Sequence, residues 1–372
     1  MMNLKEEFPL LNNKIFFASC SHGVLPKRTY NALLRYISSL YLNGPDWGLY
    51  MRLYEETRSA FSKLINASVD EIALIPTVSY GVNVIASSLH ASPQRNKIIV
   101  SKLNFPTVVH VWLSHSRRLG FKTVLVSGKL EDYKREIDEK TLLVSLTHIS
   151  YTTGFREYVT EVVNLAHEKG ALVLLDDAQA TGVIPLNVRK LDIDVVVTTC
   201  SKYLLGLPGL AFLYVKKEII ENLQPLITSW FAQKEPFKFD LKLEYSTSAR
   251  RFEIGTPSIP SVIACLESLK FIHEISVKRI WNHVRTLSNI LIEELKNLGL
   301  NVVTPLNEKR RGPLISIKFV NPNVAAKKLA EENIIVSPRK DVLRIALHMF
   351  NNREYISLLV SSLAKIKSLI SG

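Results

Sequence analysis

The distribution of apolar residues predicts an α/β fold: a mainly parallel, seven-stranded sheet covered by helices, followed by a smaller α+β domain toward the C-terminal end. Three observations carry this. Short apolar runs alternate with amphipathic helical segments, as in chains that return each strand to one sheet through a helix. Near residue 260 that alternation gives way to a long helical stretch and then to strands of alternating polarity. The length, 372 residues, suffices for one large core and one smaller one.

The candidate strands cover residues 71–75, 97–100, 123–126, 141–146, 171–175, 195–199 and 211–215. They are rich in Ile, Val and Leu, the composition of strands buried on both faces. Helical periodicity fills the gaps, for example over 54–65, 80–89, 107–119 and 159–169. The seventh strand follows the sixth after a short turn containing Gly206, Pro208 and Gly209. That connection is too short for a parallel crossover, so the last strand is expected to run antiparallel. A long helical stretch over 261–298, a strand at 314–319, a helix at 324–332, a strand at 342–346 and a helix at 353–368 complete the chain. The domain assignment is therefore 15–260 for the large unit, with 1–14 and 261–372 forming the small one.

Composition excludes several classes. At 47% hydrophobic and 22% charged, the chain has the balance of an ordinary globular protein. No apolar run approaches the roughly 18–20 residues that cross a bilayer. The first residues are too charged for a signal peptide, so a cytoplasmic location without membrane contact is expected. Three widely spaced cysteines, Cys20, Cys200 and Cys265, argue against a disulfide framework and a structural zinc site. The nine histidines show no metal-ligand spacing, and no metal is expected. The net charge of +13 is spread along the chain without a basic stripe or binding-module signature, so nucleic acid is not an expected partner. A basic surface does favour anionic substrates.

The most informative residue is Lys202, in Thr198-Thr199-Cys200-Ser201-Lys202, just after the sixth strand. The fifth strand ends in Asp176-Asp177-Ala178-Gln179. A lysine after one strand and an acid at the end of its neighbour suit pyridoxal 5'-phosphate. The amine forms the Schiff base, and the carboxylate keeps the pyridine nitrogen protonated so that the ring accepts electrons. Asp176 projects at the carboxyl edge of the sheet, where ligands of open α/β sheets bind. Asp177 alternates to the other side.

Around these residues the chain resembles the class V aminotransferases, a group that also contains cysteine desulfurases, isopenicillin N epimerase-like proteins and kynureninases. The resemblance rests on His148-Ile149-Ser150, Gly154, Ala166-His167-Glu168-Lys169-Gly170-Ala171, Asp176-Asp177-Ala178-Gln179-Ala180, Ser201-Lys202 and the run from Pro208 to Val215. Weaker similarity extends from about residue 14 to 355. It implies the aspartate-aminotransferase-like fold type I of pyridoxal-phosphate enzymes. It also implies that Lys202 is catalytic, that Gln179 bonds the cofactor's phenolic oxygen, and that Arg344, alternating with apolar residues on its strand, clamps the substrate carboxylate.

The cofactor phosphate needs donors at a helix N-terminus. Thr77-Val78-Ser79-Tyr80-Gly81 supplies them, with Ser79 and Tyr80 as candidates and Ser79 as a plain helix cap the alternative. Thr199 and Ser201 are further phosphate candidates. Thr256, in Ile254-Gly255-Thr256-Pro257, resembles the family threonine that reaches the neighbouring subunit's phosphate, which implies a homodimer. Phe105 stands where the family places an aromatic ring over the cofactor, unless it is a core phenylalanine opening a helix. Arg339 reads as solvated, with a second anion contact as the alternative.

Departures from the family narrow the reaction. A desulfurase needs a mobile cysteine in the small domain, and none occurs between Asn301 and Arg344, so thiolate-based desulfuration is disfavoured. Asn104-Phe105-Pro106-Thr107 echoes the kynureninases, whereas Gln179 and Ser201 do not. The leading expectation is transamination between an amino acid and a 2-oxo acid. A lyase, a kynureninase-like C–C hydrolase or an epimerase using the same chemistry is the alternative, and a retained fold with a binding role is a third.

Overall fold

The computed structural model describes residues 4–367. The seven apolar runs form one sheet: β1 (Ile72–Ile75), β2 (Lys97–Ser101), β3 (Lys122–Val126), β4 (Thr141–Thr147), β5 (Leu172–Asp176), β6 (Val195–Thr199) and β7 (Ala211–Val215). Their spatial order is β1-β7-β6-β5-β4-β2-β3. β7 is antiparallel to both neighbours, and the remaining adjacent pairs are parallel. The reversal at β7 follows from the short connection after β6, which leaves no room for a helical crossover.

Strand alternation splits the apolar side chains between two cores. Ile75, Ile98, Val100, Leu174, Val197 and Leu213 face one layer, built by α3 (Val78–Ser88) and α4 (Pro106–Leu119). Leu74, Ile99, Val144, Val173, Val196 and Phe212 face the other. That second layer includes α1 (Lys27–Asn43), α2 (Trp47–Ile65), α5 (Val159–Glu168) and α6 (Ile259–Ile275). Phe61 of α2 stacks on Phe212 of β7 at 3.9 Å between ring centres. No described helix is long and apolar enough to cross a membrane.

The long helical stretch expected over 261–298 divides into two helices. Ser276, at φ +78°, ends α6 and opens α7 (Val277–Asn297). A positive φ at a non-glycine residue breaks the 3.6-residue screw. α6 then packs on α1 and α2, whereas α7 packs on α8 (Arg353–Lys365). Beyond α7 lies a three-stranded antiparallel sheet of β8 (Leu314–Lys318), β9 (Ser337–Arg339) and β10 (Val342–Ala346), ordered β9-β10-β8. The N-terminal segment joins this unit: Ile15–Phe16 pairs with Ile334–Ile335, and Ala18 bridges to Ala346.

The widely spaced cysteines, expected to form no disulfide framework, nonetheless include one bonded pair. Cys200, after β6, and Cys265, in α6, form a disulfide with Cα atoms 6.0 Å apart. Spacing in sequence was a poor guide because α6 packs back over the β6–β7 turn: Ser268 of α6 donates to the Leu205 carbonyl at 3.0 Å. Cys20 remains the free thiol and is buried.

One buried acid makes stability pH-dependent. Glu157, 2% exposed, accepts from Ser101 Oγ at 2.6 Å, from the Thr147 N–H at 3.4 Å and from Tyr133 Oη. Burial outweighs these bonds and pushes its pKa up from 4.5 to about 7. A raised acid is bound to its proton in the folded state, so its stabilisation is complete below pH 4.5 and lost as pH rises through about 7. Glu157→Gln, which keeps the shape without the charge, is expected to melt like wild type at pH 4.5. Near pH 8 it should be more stable by up to about 3 kcal/mol. Parallel pH–melting curves would refute this.

Candidate active site

Parallel strands bring the ends of β4, β5 and β6 to one edge, and the turn after β6 folds Lys202 back over it. Lys202 is half-buried. Its pKa is lowered chiefly by burial; Asp176 opposes that shift, and Arg344 and Arg339 add to it. Asp176, the last residue of β5, is buried and accepts the Ala178 N–H at Oδ1 over 3.0 Å. Burial raises its pKa, and the charge of Lys202 pulls it down. The two groups sense each other without forming an ion pair. Phe105 lies beside them, its ring centre 5.9 Å from Lys202 Nζ. The ring is 41% exposed and meets Tyr151 edge-on at 5.1 Å, which is not the setting of a core phenylalanine.

Asp177 turns to the opposite side, as alternation requires. There it receives His148 Nδ1 at 2.6 Å and the Thr181 hydroxyl. Arg156 Nε donates to His148 Nε2 at 3.2 Å, so the imidazole proton resides on Nδ1. This Arg156–His148–Asp177 chain explains why an acid is stable next to Asp176, and it joins residues that no local pattern connects.

Gln179 donates through Nε2 to the Cys20 carbonyl at 3.0 Å. Its Oε1 is buried and has no partner among the described residues, an unmet acceptor of the kind a phenolic hydroxyl satisfies. Together with a carboxyl that gains from a nearby cation and an amine whose pKa burial lowers, this atom fits the cofactor expected from the sequence.

At the proposed phosphate end, Thr77 rather than Ser79 caps α3, accepting the Tyr80 N–H at 3.0 Å. Ser79 Oγ lies 3.0 Å from Thr107 Oγ1, linking the starts of α3 and α4. Tyr80 Oη donates to the Phe252 carbonyl at 3.1 Å, and its N–H serves the cap. The free donors of this turn are therefore Ser79 Oγ and the first-turn N–H groups. The Thr199 and Ser201 hydroxyls lie 3.2 Å apart. Thr256 is exposed, between the turn Ala249–Phe252 and α6.

Arg344 is 1% exposed, and all its recorded acceptors are neutral. They are the carbonyls of Ser337 and Tyr151 and the hydroxyls of Ser21 and Ser337. Buried charges are normally paired, yet no carboxylate forms an ion pair with Arg344 among the described residues.

Sequence reasoning missed the N-terminal wall of the site. Gly23 N–H donates to the Ser201 carbonyl at 2.8 Å, and a Cβ on Gly23 would lie 2.2 Å from the Lys202 carbonyl. Only glycine allows this approach. Cys20 and Ser21 thereby reach Gln179 and Arg344. The Ser-Cys-Ser-His-Gly turn was the one available signal, and nothing local tied it to Lys202.

A family model described as aminotransferase class-V matches residues 26–362. An uncharacterized aminotransferase of Bacillus subtilis is 31% identical, covering 97% of this chain and 96% of the relative. A kynureninase of Geobacillus thermodenitrificans is 26% identical over 98% of this chain and 91% of its own length. Among solved structures, the apo cysteine desulfurase of Thermococcus onnurineus superposes with a TM-score of 0.87 at 23% identity. That superposition covers 99% of this chain and 98% of the desulfurase.

Proposed function

The chain belongs to the class V aminotransferase family, and from that premise we propose that it is a pyridoxal-phosphate-dependent transaminase. It would move an amino group between an amino acid and a 2-oxo acid. The observation that carries this reading is the Lys202–Asp176 arrangement: a partly desolvated amine and a buried carboxylate, coupled in charge but not in contact. When bound, the cofactor supplies an aldehyde for the amine and a ring that stabilises negative charge at the substrate Cα.

The remaining roles fall to the chain's own residues. Lys202 Nζ would anchor the cofactor and accept the proton from Cα, and burial lowers its pKa in the direction that favours this. The Asp176 carboxylate holds a proton on the ring nitrogen. Gln179 meets the phenolic oxygen, Phe105 covers the ring face against water, and Ser79, Thr199 and Ser201 hold the phosphate together with the α3 N-terminus. Arg344 orients the α-carboxylate. The exposed Thr256 supports a homodimer in which each subunit completes its neighbour's phosphate site. Desulfuration is disfavoured further, because Cys200 and Cys265 are joined and Cys20 is buried.

The test is the visible absorption spectrum of purified protein during addition of single amino acids and then 2-oxo acids. Stable conversion to the amine form of the cofactor, reversed by a 2-oxo acid, supports transamination. A band that recovers while product accumulates points to a lyase, hydrolase or epimerase. No band after adding pyridoxal phosphate sinks the cofactor assignment. Arg344→Lys should lower kcat/KM about 10- to 100-fold, mostly through KM, because a point charge replaces a bidentate fork. Steady-state kinetics with unchanged KM would count against the carboxylate role.

A further inference from the structure

We propose that Arg339 is a specificity-determining residue and that the substrates carry a second carboxylate: acidic amino acids and the matching 2-oxo dicarboxylates. This deepens the transaminase reading and rests on it for the reaction, though not for the binding.

The argument begins with strand register. β9 and β10 are antiparallel, with Ser337 opposite Arg344 and Arg339 opposite Val342. Opposed residues share a face and side chains alternate along a strand, so Ser337, Arg339 and Arg344 belong to one face. That face looks into the site, because Arg344 Nη2 donates to Ser337 Oγ at 2.6 Å and to Ser21 Oγ at 2.9 Å. Arg339 is the diagonal neighbour of Arg344, a separation of roughly 7–8 Å between such strand positions. Two long guanidinium side chains converge readily across that gap.

The second strand of argument is charge. Arg344 has only neutral acceptors. Arg339 makes no hydrogen bond or ion pair among the described residues, and the hairpin's acid, Asp341, is directed to Lys318. Both arginines act on the charge of Lys202, which places Arg339 within electrostatic reach of the reacting amine. Two like charges thus share one face without a counter-ion, one buried at the floor and one exposed at the rim. A monocarboxylate neutralises the floor alone, whereas a dicarboxylate neutralises both. Guanidinium forks suit carboxylates at either position.

The test compares succinate with butyrate, equal in carbon number and different by one carboxylate, by titration calorimetry of the cofactor-loaded protein. Wild type should bind succinate at least about tenfold more tightly. Arg339→Ala should bring the ratio close to one, and Arg339→Lys should restore part of it. Lys327→Ala, which removes a distant exposed charge, should keep the wild-type ratio. A wild-type ratio near one, or an Arg339→Ala ratio equal to wild type, overturns the proposal. Thermal melting checks that each variant is folded. Absorbance of the same samples separates the two readings. With pyridoxal phosphate supplied, an Arg339-dependent succinate preference without a cofactor band supports the dicarboxylate site and sinks the transaminase. A band that an amino acid converts and a 2-oxo acid restores, without the preference, does the reverse.

Discussion

Lys202→Ala is expected to lower turnover by at least about 10⁴-fold, because one substitution removes both the covalent anchor and the general base. Proton transfer by a positioned base is by itself worth roughly 10²–10⁴-fold. The loss should appear in kcat and not only in KM, since the amine acts in the step and not in recognition. Lys202→Arg should fail to the same extent, because a guanidinium neither gives up its proton nor forms the imine. The visible band of the lysine-bound cofactor should vanish in both variants. A small added amine such as methylamine should restore part of the turnover of the alanine variant and none of that of the arginine variant, whose side chain fills the space. An alanine variant with wild-type turnover would show that another group moves the proton.

The second large effect concerns the Cys200–Cys265 bond. It closes a loop with a sequence separation of 65, and the chain-entropy relation puts its stabilisation at about 4 kcal/mol. In a protein of this size that corresponds to roughly 5 °C in Tm. Cys265→Ala, compared with wild type under non-reducing conditions, should show that drop. Denatured wild type should expose one reactive thiol, Cys20, without reductant and all three cysteines after reduction. Three reactive thiols without reductant would show that the bond is absent. The consequence reaches the site, because Cys200 lies two residues before Lys202 and its partner lies on α6.

These two predictions rest on different kinds of information. Lys202, Asp176 and Gln179 were readable in the sequence because their roles depend on strand ends. A strand end is marked locally by an apolar run and the polar residues after it. The whole large sheet was readable for the same reason, including the reversed β7, whose orientation follows from the length of one turn. Arg344 was visible as a charge among apolar residues on a strand. Ser79 as a plain helix cap was the alternative that failed, because capping depends on backbone angles, and these chose Thr77. The break at Ser276 was invisible because both flanking segments share helical periodicity.

By itself, then, the sequence determined the α/β architecture and pointed to the pair of residues proposed to carry the chemistry, since both follow from short-range patterning and connection length. The tertiary structure alone decided which distant residues complete the site: the Ser19–Gly23 turn against Lys202, the Arg156–His148–Asp177 chain, the Cys200–Cys265 bond and the shared face of Arg339 and Arg344. With the bond from Arg344 to Ser21 Oγ, such contacts join residues up to 323 positions apart. They depend on how packed layers meet in space, and no local periodicity records that.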